Sequence, residues 1–391
     1  MLHSIKSVLP HRMKRQVREL FMSSLIVSLA LAMVMIFEPI YLYKIGYSLQ
    51  NIMLFYLITY ALYFVLMPLG GKFARRYGYE IGMLIGTFLY IGFYVSLFFI
   101  AYVPWLFYLA PALLAVQKTF YWTAYHANFA RYSDDQEEGR EIGAITVVTS
   151  LVYIIGPVLA GFIISQWGFG ALFMVSSIIF LASNIPTLIT KEKWKPRHTD
   201  YKKAYTNLFA KKNRKSFLAY LGFGEELIVL VVWPVFISLV ISDILDIGLV
   251  VTVATLITTL LTLYIGKLSD KRNKRKILRL GSAFYAIAWF VRIFIFTKIG
   301  IFFVDTMSRL GKNTIGVPLM AITYENAKSL QKEERHSVMD VILFFEMSLV
   351  VGKITALVLI FVLTAFVADE MTAFQLTFVL AGGMSLLYLL L

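Results

Sequence analysis

"IGKLSDKRNKRK", residues 265–276, sets a dense run of charge between two long apolar stretches. "GGKFARRYGYE", residues 70–80, also starts with Gly and Lys and also divides two apolar runs. Gly71 and Gly266 stand 195 positions apart. Charged breaks that punctuate apolar runs belong to a chain that crosses a bilayer repeatedly, and a fixed spacing between them points to a duplicated unit.

The composition agrees. The 391 residues are 59% hydrophobic and 15% charged, with a mean hydropathy of +0.75, far above that of a soluble globular chain. A helix needs roughly 20 mainly apolar residues to cross the hydrocarbon core. Twelve such runs can be marked, at 21–42, 53–69, 81–101, 106–127, 141–164 and 170–189 in the first half. The second half gives 217–241, 246–265, 277–297, 300–323, 338–366 and 371–391. They are continuously apolar and do not alternate as barrel strands do, so the expected class is all-α integral membrane. The first run is too long for a signal core and no small-residue cleavage site follows it, so it counts as span 1.

The net charge of +14 is a topology signal. Thirty of the 37 Lys and Arg fall in the N-terminal segment and in the breaks at 70–80, 128–140, 190–215, 266–279 and 326–337, which alternate with the spans. The opposite loops hold only Lys44 and Lys298. By the positive-inside rule both termini face the cytoplasm, and the expected setting is the plasma membrane of a prokaryote. No basic patch interleaved with aromatics is present, so no nucleic-acid partner is expected. The absence of cysteine excludes disulfides and thiol chemistry.

Further markers share the 195-residue spacing. Pro39 matches Pro234 at 195, Lys118 matches Lys312 at 194 and Gly156 matches Gly352 at 196. The chain therefore divides into two pseudo-symmetric six-helix bundles, 1–190 and 216–391, joined by a linker over 191–215. Six spans return the chain to its starting side, so the repeats are parallel, about an axis along the membrane normal. The linker mixes basic and aromatic residues, which suits either a helix on the anionic leaflet or a plain solvated connection.

With these residues in place the chain resembles the major facilitator superfamily over essentially its full length. "GKLSDKRNKRK" is similar to that family's signature loop between spans 8 and 9, with Gly266, Asp270, Lys271 and Arg275 in their places and Asn273 where the second Gly stands. Asn tolerates the positive φ such a turn requires. The first-half copy keeps Gly71 and Gly78 but has Arg75 where the family has Asp. The resemblance puts this loop beside the start of span 11, so Arg75 is expected to pair with Asp340. Asp340→Arg should then restore what Arg75→Asp disturbs, and equal damage in single and double variants would sink the pairing. "GAITVVTSLVYIIGPVLAG" in span 5 resembles the family's antiporter motif through Gly143, Gly156, Pro157 and Gly161, with Val152 and Ala160 at two of its glycines. Small residues and Pro in a membrane helix allow close packing and a kink, with or without a role in exchange.

Ionisable residues inside spans are functional candidates because each costs about 2.5–3.5 kcal/mol on insertion scales. They are Glu38, Lys118, Glu225, Glu226, Arg292, Asp305, Arg309, Lys312, Glu346 and Lys353. Five acids and five bases allow internal pairing as an alternative to proton carriage. Helical spacing puts Asp305, Arg309 and Lys312 on one face of span 10, Glu346 and Lys353 on one face of span 11, and Lys118, Trp122 and His126 on one face of span 4. The resemblance implies a central cavity lined by spans 1, 4, 7 and 10, which carry most of these charges. Glu225, at mid-depth of span 7, is the first candidate for proton coupling, held ionised if a cation such as Arg309 is near. Glu226 points about 100° away around the helix, and Glu38 beside Pro39 follows. Arg292 reads as a snorkelling anchor near the far surface. Tyr121, Trp122, Tyr125 and Trp233 are the aromatic residues best placed for a substrate.

The function expected is secondary active transport by alternating access, a proton-coupled efflux of a small amphipathic organic compound. An organic-anion or sugar uptake carrier, through Lys118, Arg309, Lys312 and Lys353, and a non-transporting scaffold are the alternatives. No phosphate-binding loop of the form Gly, four residues, Gly, Lys, Ser or Thr occurs, and "HSVMD" at 336–340 lacks the spacing of a zinc helix. Neither an enzyme, a cofactor nor a metal is expected. The partners expected are a small-molecule substrate, protons and the lipid bilayer, with the chain a monomer.

Overall fold

The computed structural model describes residues 15–132, 138–189, 201–269, 274–334 and 338–391, with side chains described except at 16, 17, 126–148, 201–204, 212, 263–269, 274, 317 and 320–342. Its elements are helices, with no strand among the described residues. We label the membrane helices α1–α12. α1 runs Arg15–Val34 and continues as Phe37–Lys44; α2 is Leu49–Tyr77, α3 Tyr79–Phe99 and α4 Leu106–Tyr132. One helical stretch, Glu138–Ala182, breaks at Gly168 (φ 79°) into α5 (138–167) and α6 (169–182), the latter extended by Ile185–Leu188. α7 spans 214–240 in several pieces; α8 is Ile244–Ser269, α9 Lys274–Val291, α10 Lys298–Glu334, α11 Val338–Phe366 and α12 Glu370–Leu386.

Nine stretches among the described residues are long and apolar enough to cross a membrane, one of them covering both α5 and α6. α4 and α10 are not among them. These two helices carry Lys118 and the Asp305, Arg309, Lys312 set, of which Lys118 and Lys312 stand at equivalent places in the repeat. Large apolar side chains such as Phe88, Ile178, Leu260 and Phe303 are 58–61% exposed on the outside, the surface that a bilayer covers.

Several helices run past the apolar stretches that predicted them. α2 continues through Gly70, Gly71, Arg75 and Arg76 to Tyr77, so the expected loop at 70–80 is a single-residue turn at Gly78, whose φ of 107° suits Gly. α8 likewise extends through Gly266 to Ser269, and α9 resumes at Lys274. Charge ended the apolar runs without ending the helices, because Lys and Arg are good helix formers once clear of the hydrocarbon.

The packing repeats. Within the first six helices α1 packs on α5 and α6, α2 on α4, α3 on α4 and α6; the last six reproduce this with α7 on α11 and α12, α8 on α10, α9 on α10 and α12. The two sets meet where α2 packs on α11 and α5 on α8, two contacts that exchange under the repeat. The 195-residue shift is visible in close approaches. A Cβ on Gly156 would lie 2.5 Å from Ala32 of α1, and one on Gly352 would lie 2.6 Å from the Leu221 carbonyl of α7. At the crossing between the sets, a Cβ on Gly248 would sit 2.5 Å from the Pro157 carbonyl and one on Gly161 3.0 Å from the Ile244 carbonyl.

α1 and α7 are irregular at matching points. α1 turns at Met35 and Ile36, and α7 passes through a π-helical Ile228–Val232. In each case a proline follows, Pro39 or Pro234, whose missing N–H leaves the carbonyl four residues earlier without its helical partner. The far ends of α1 and α7, Phe37–Lys44 and Trp233–Val240, pack on each other, and the Tyr43 hydroxyl donates to the Glu370 carboxylate at 3.0 and 3.1 Å. On the face bearing the basic breaks, a short helix, Tyr201–Leu208, rests on α2 and α11 together, with the Tyr205 hydroxyl donating to the carbonyls of Phe64 (3.3 Å) and Val65 (3.1 Å).

Candidate functional site

The depth of α7 decides the site. Gly222 and Gly224 let it sink against α11 and α12: a Cβ at Gly222 would lie 3.0 Å from the Met384 carbonyl, and one at Gly224 would collide with Gly352 and Met384. A short 3₁₀ turn, Leu221–Phe223, precedes the carboxylates and the π-helical stretch follows them. Such π segments widen a helix locally and recur at functional sites. The result turns Glu225 inward and Glu226 toward the meeting line of the two sets.

Glu225 is fully buried. Its carboxylate forms an ion pair with Lys312 of α10 and accepts hydrogen bonds from the Tyr285 hydroxyl of α9 (2.6 Å) and the Tyr388 hydroxyl beyond α12 (3.0 Å). Lys312 Nζ also donates to Tyr388 at 3.3 Å and lies 5.0 Å from the Phe223 ring centre. Taking a carboxylate out of water is costly, and here one cation and two hydroxyls offset that cost. The cation is Lys312, and Arg309, named from the sequence as an example of such a cation, pairs elsewhere.

Arg309 pairs within α10, its Nε 2.6 Å from Asp305 Oδ2. Asp305 Oδ1 accepts from Trp233 Nε1 at 3.0 Å and lies 3.6 Å from Arg292 Nη2. Arg292 is 1% exposed, its guanidinium 4.0 Å from the Trp233 ring centre and 3.8 Å from that of Trp289. This corrects the reading of Arg292 as a snorkelling anchor. Stacking between two indoles offsets part of its desolvation, which favours a planar guanidinium over an ammonium. Trp233, 2% exposed and bonded to Asp305, supports that cluster and does not face open space.

A third group crosses between the two sets. Glu226 Oε2 lies 2.7 Å from Lys353 Nζ, with 35% and 15% of the side chains exposed. Lys353 Nζ is 5.4 Å from the Tyr60 ring centre, and Lys118 Nζ is 5.5 Å from the same ring. Among the described residues no carboxylate lies within ion-pair distance of Lys118, although Glu38 is within electrostatic reach. Glu38 is buried and accepts from the Tyr94 hydroxyl at 2.7 Å. Glu346 lies within electrostatic reach of Lys353 and Tyr63.

The aromatic residues of α4 divide. Tyr121 is 4% exposed, wedged where a Cβ on Gly86 of α3 would be 2.7 Å from its own Cβ. Trp122 and Tyr125 are partly exposed, and Tyr125 accepts from Ser24 at 3.3 Å. Among the loop residues, Arg75 is half-buried and Arg275 exposed. Asp270 and Lys271 lie outside the described residues, as do the side chains of Asp340 and His126 and the surroundings of Gly143 and Gly266, so the Arg75–Asp340 pair falls there too.

Sequence reading passed over the tyrosines that hold the carboxylates. One signal was present for Tyr285, which stands 195 positions after Tyr90, a ring 4.9 Å from that of the Glu38 partner Tyr94. Tyr60, Tyr94 and Tyr388 carry no such mark.

The family model for the Major Facilitator Superfamily matches residues 20–351. The chain belongs to this superfamily. No curated protein matches it. As a member it is a multi-pass integral membrane transporter of small molecules, built in the all-α fold that the spans and their repeated packing describe.

Proposed function

We propose that this superfamily member is a secondary active transporter whose two six-helix halves, 1–190 and 216–391, rock about a mid-membrane site, and that proton movement through Glu225 drives export of a small amphipathic organic compound. The observation that carries the reading is the Glu225 group. A fully buried carboxylate on α7 is held by Lys312 of α10 and two hydroxyls from α9 and α12, so its charge state decides whether three helices stay tied to α7. Neighbouring Glu226 binds Lys353 of α11, which packs on α2 of the other half. One dipeptide thus couples the inside of the second half to the contact between halves. Export is the direction suggested by the resemblance of the span 5 stretch to the family's antiporter motif, whose Gly156, Pro157 and Gly161 pack closely on α1 and α8. The basic face is the cytoplasmic one on this reading, with both termini there.

Proton flux in proteoliposomes loaded with a pH dye, measured on adding lipophilic cations, organic anions and sugars in turn, tests the proposal. Substrate-triggered flux opposite to the substrate's movement, lost in Glu225→Gln, is the expected result. Flux in the same direction would mean uptake, and labelled substrate crossing without proton flux would remove Glu225 from the coupling role.

A further inference from the structure

Lys118 and Lys353 approach one aromatic ring from opposite halves of the molecule, and their charge accounts differ. Lys353 of α11 is met by Glu226 at 2.7 Å, a carboxylate that is itself 35% exposed. Lys118 of α4 has no carboxylate within ion-pair distance among the described residues; the acids within its electrostatic reach, Glu38 and Glu226, are taken by Tyr94 at 2.7 Å and by Lys353 at 2.7 Å. Tyr60 of α2 is 6% exposed, its ring centre 5.5 and 5.4 Å from the two ammonium groups. An ammonium in a half-buried site without a counter-ion is costly, and the ring offsets only part of that.

We propose that Lys118, Tyr60 and Lys353 form the anchor for an acidic group of the transported compound, a carboxylate carried on an aromatic or other apolar body. This narrows the transporter reading above and rests on it. The ligand's carboxylate takes Lys353 from Glu226 and reaches Lys118, so that one anion joins α4 to α11 across the line between the halves, while its apolar part lies on Tyr60. Glu226, released, stands beside Glu225 and competes for Lys312, which ties ligand binding to the buried group. A cationic ligand meets the two ammonium groups while Glu226 is already engaged by Lys353, and is the poorer fit at this point.

The test uses the full chain in lipid nanodiscs, with benzoate, salicylate and 1-naphthoate as probes, their methyl esters as uncharged counterparts, and tetraphenylphosphonium as the cation. Thermal unfolding and binding isotherms are read for wild type, Lys118→Gln, Lys118→Arg, Lys353→Gln and Glu226→Gln. The acids should raise the unfolding midpoint and the esters should not. Lys118→Gln and Lys353→Gln should weaken binding about tenfold or more, the loss of a charge-assisted hydrogen bond, while Lys118→Arg retains it. Glu226→Gln should bind the acids more tightly than wild type, because the competing carboxylate is gone, a gain that general damage to the fold does not produce. Equal binding of acids and esters, stabilisation by the cation alone, no stabilisation by any acid, or weaker binding in Glu226→Gln would each overturn the site. Acid binding that persists without proton flux in proteoliposomes would leave this site standing and remove the coupling reading.

Discussion

Glu225 and Asp305 are each held by at least one neutral donor besides a cation, and this sets how their ion pairs respond to mutation. Glu225→Gln strands Lys312 among aromatic rings. Its cost falls at the lower end of the about 3–5 kcal/mol typical of a broken buried pair, because Lys312 is 29% exposed and can reach water. The thermal midpoint should drop, and adding Lys312→Met should recover part of the loss; a double variant as unstable as the two single losses summed would show that the groups do not interact. Arg292→Lys should destabilise more than its unchanged charge suggests, since an ammonium cannot stack between the Trp233 and Trp289 rings. Near-ultraviolet circular dichroism, which senses those indoles, is the measurement. The charges themselves were legible in the sequence as ten ionisable residues inside spans. Their partners were not, because helical spacing orders residues on one helix and says nothing about which neighbouring helix faces them. Asp305 with Arg309 lies within one helix and was readable as a shared face; Glu225 with Lys312 lies between two and was not.

At the scale of helices, glycine sets the distances. Gly248→Ala places a methyl 2.5 Å from the Pro157 carbonyl, so α5 and α8 must separate. Transport should fall sharply while the protein still inserts, and Gly383→Ala, where a Cβ meets nothing within 4 Å, should leave the transport rate unchanged. α12 starts at a cap in which the Thr372 N–H and hydroxyl donate to Asp369 Oδ2 at 2.8 and 2.5 Å. These bonds hold the exposed Asp369 below the usual carboxylate range. A depressed value means that the cap is intact above the ordinary carboxylate pKa and is lost as the pH falls through the folded one. Asp369→Asn should therefore remove the acid dependence of amide exchange at the start of α12. Helix existence was legible from apolar length, and the repeat from Gly, Pro and Lys markers at one spacing. The ends were not, since a charged run leaves the membrane without leaving the helix, as 70–77 does in α2. The π-helical stretch in α7 was hidden for a different reason: Ile228–Val232 is unbroken apolar sequence, and only Gly222, Gly224 and Pro234 on either side hint that the backbone departs from α geometry.

For the whole molecule, the two sets of helices are joined on the far face by the tips of α1 and α7, by Tyr43 with Glu370, and by the α5–α8 crossing. Alternating access requires these contacts to part. A Gly161→Cys, Leu245→Cys pair, placed where a Cβ on Gly161 would lie 3.2 Å from the Leu245 Cα, should cross-link in a chain that has no cysteine of its own. Oxidation should stop transport and a reductant should restore it; continued transport with the link closed would mean that the crossing is not a moving part. The charges carried by α10 reach beyond the finished structure, to the order in which the ribosome delivers the chain. α10 enters the membrane with Asp305, Arg309 and Lys312, and its companions Glu225 and Trp233 are already present on α7. Tyr388, which binds both Glu225 and Lys312, follows only after α11 and α12. A nascent chain halted between α10 and α12 thus carries the Glu225–Lys312 pair without one of its hydroxyl partners, and the pair is completed only when the segment after α12 arrives.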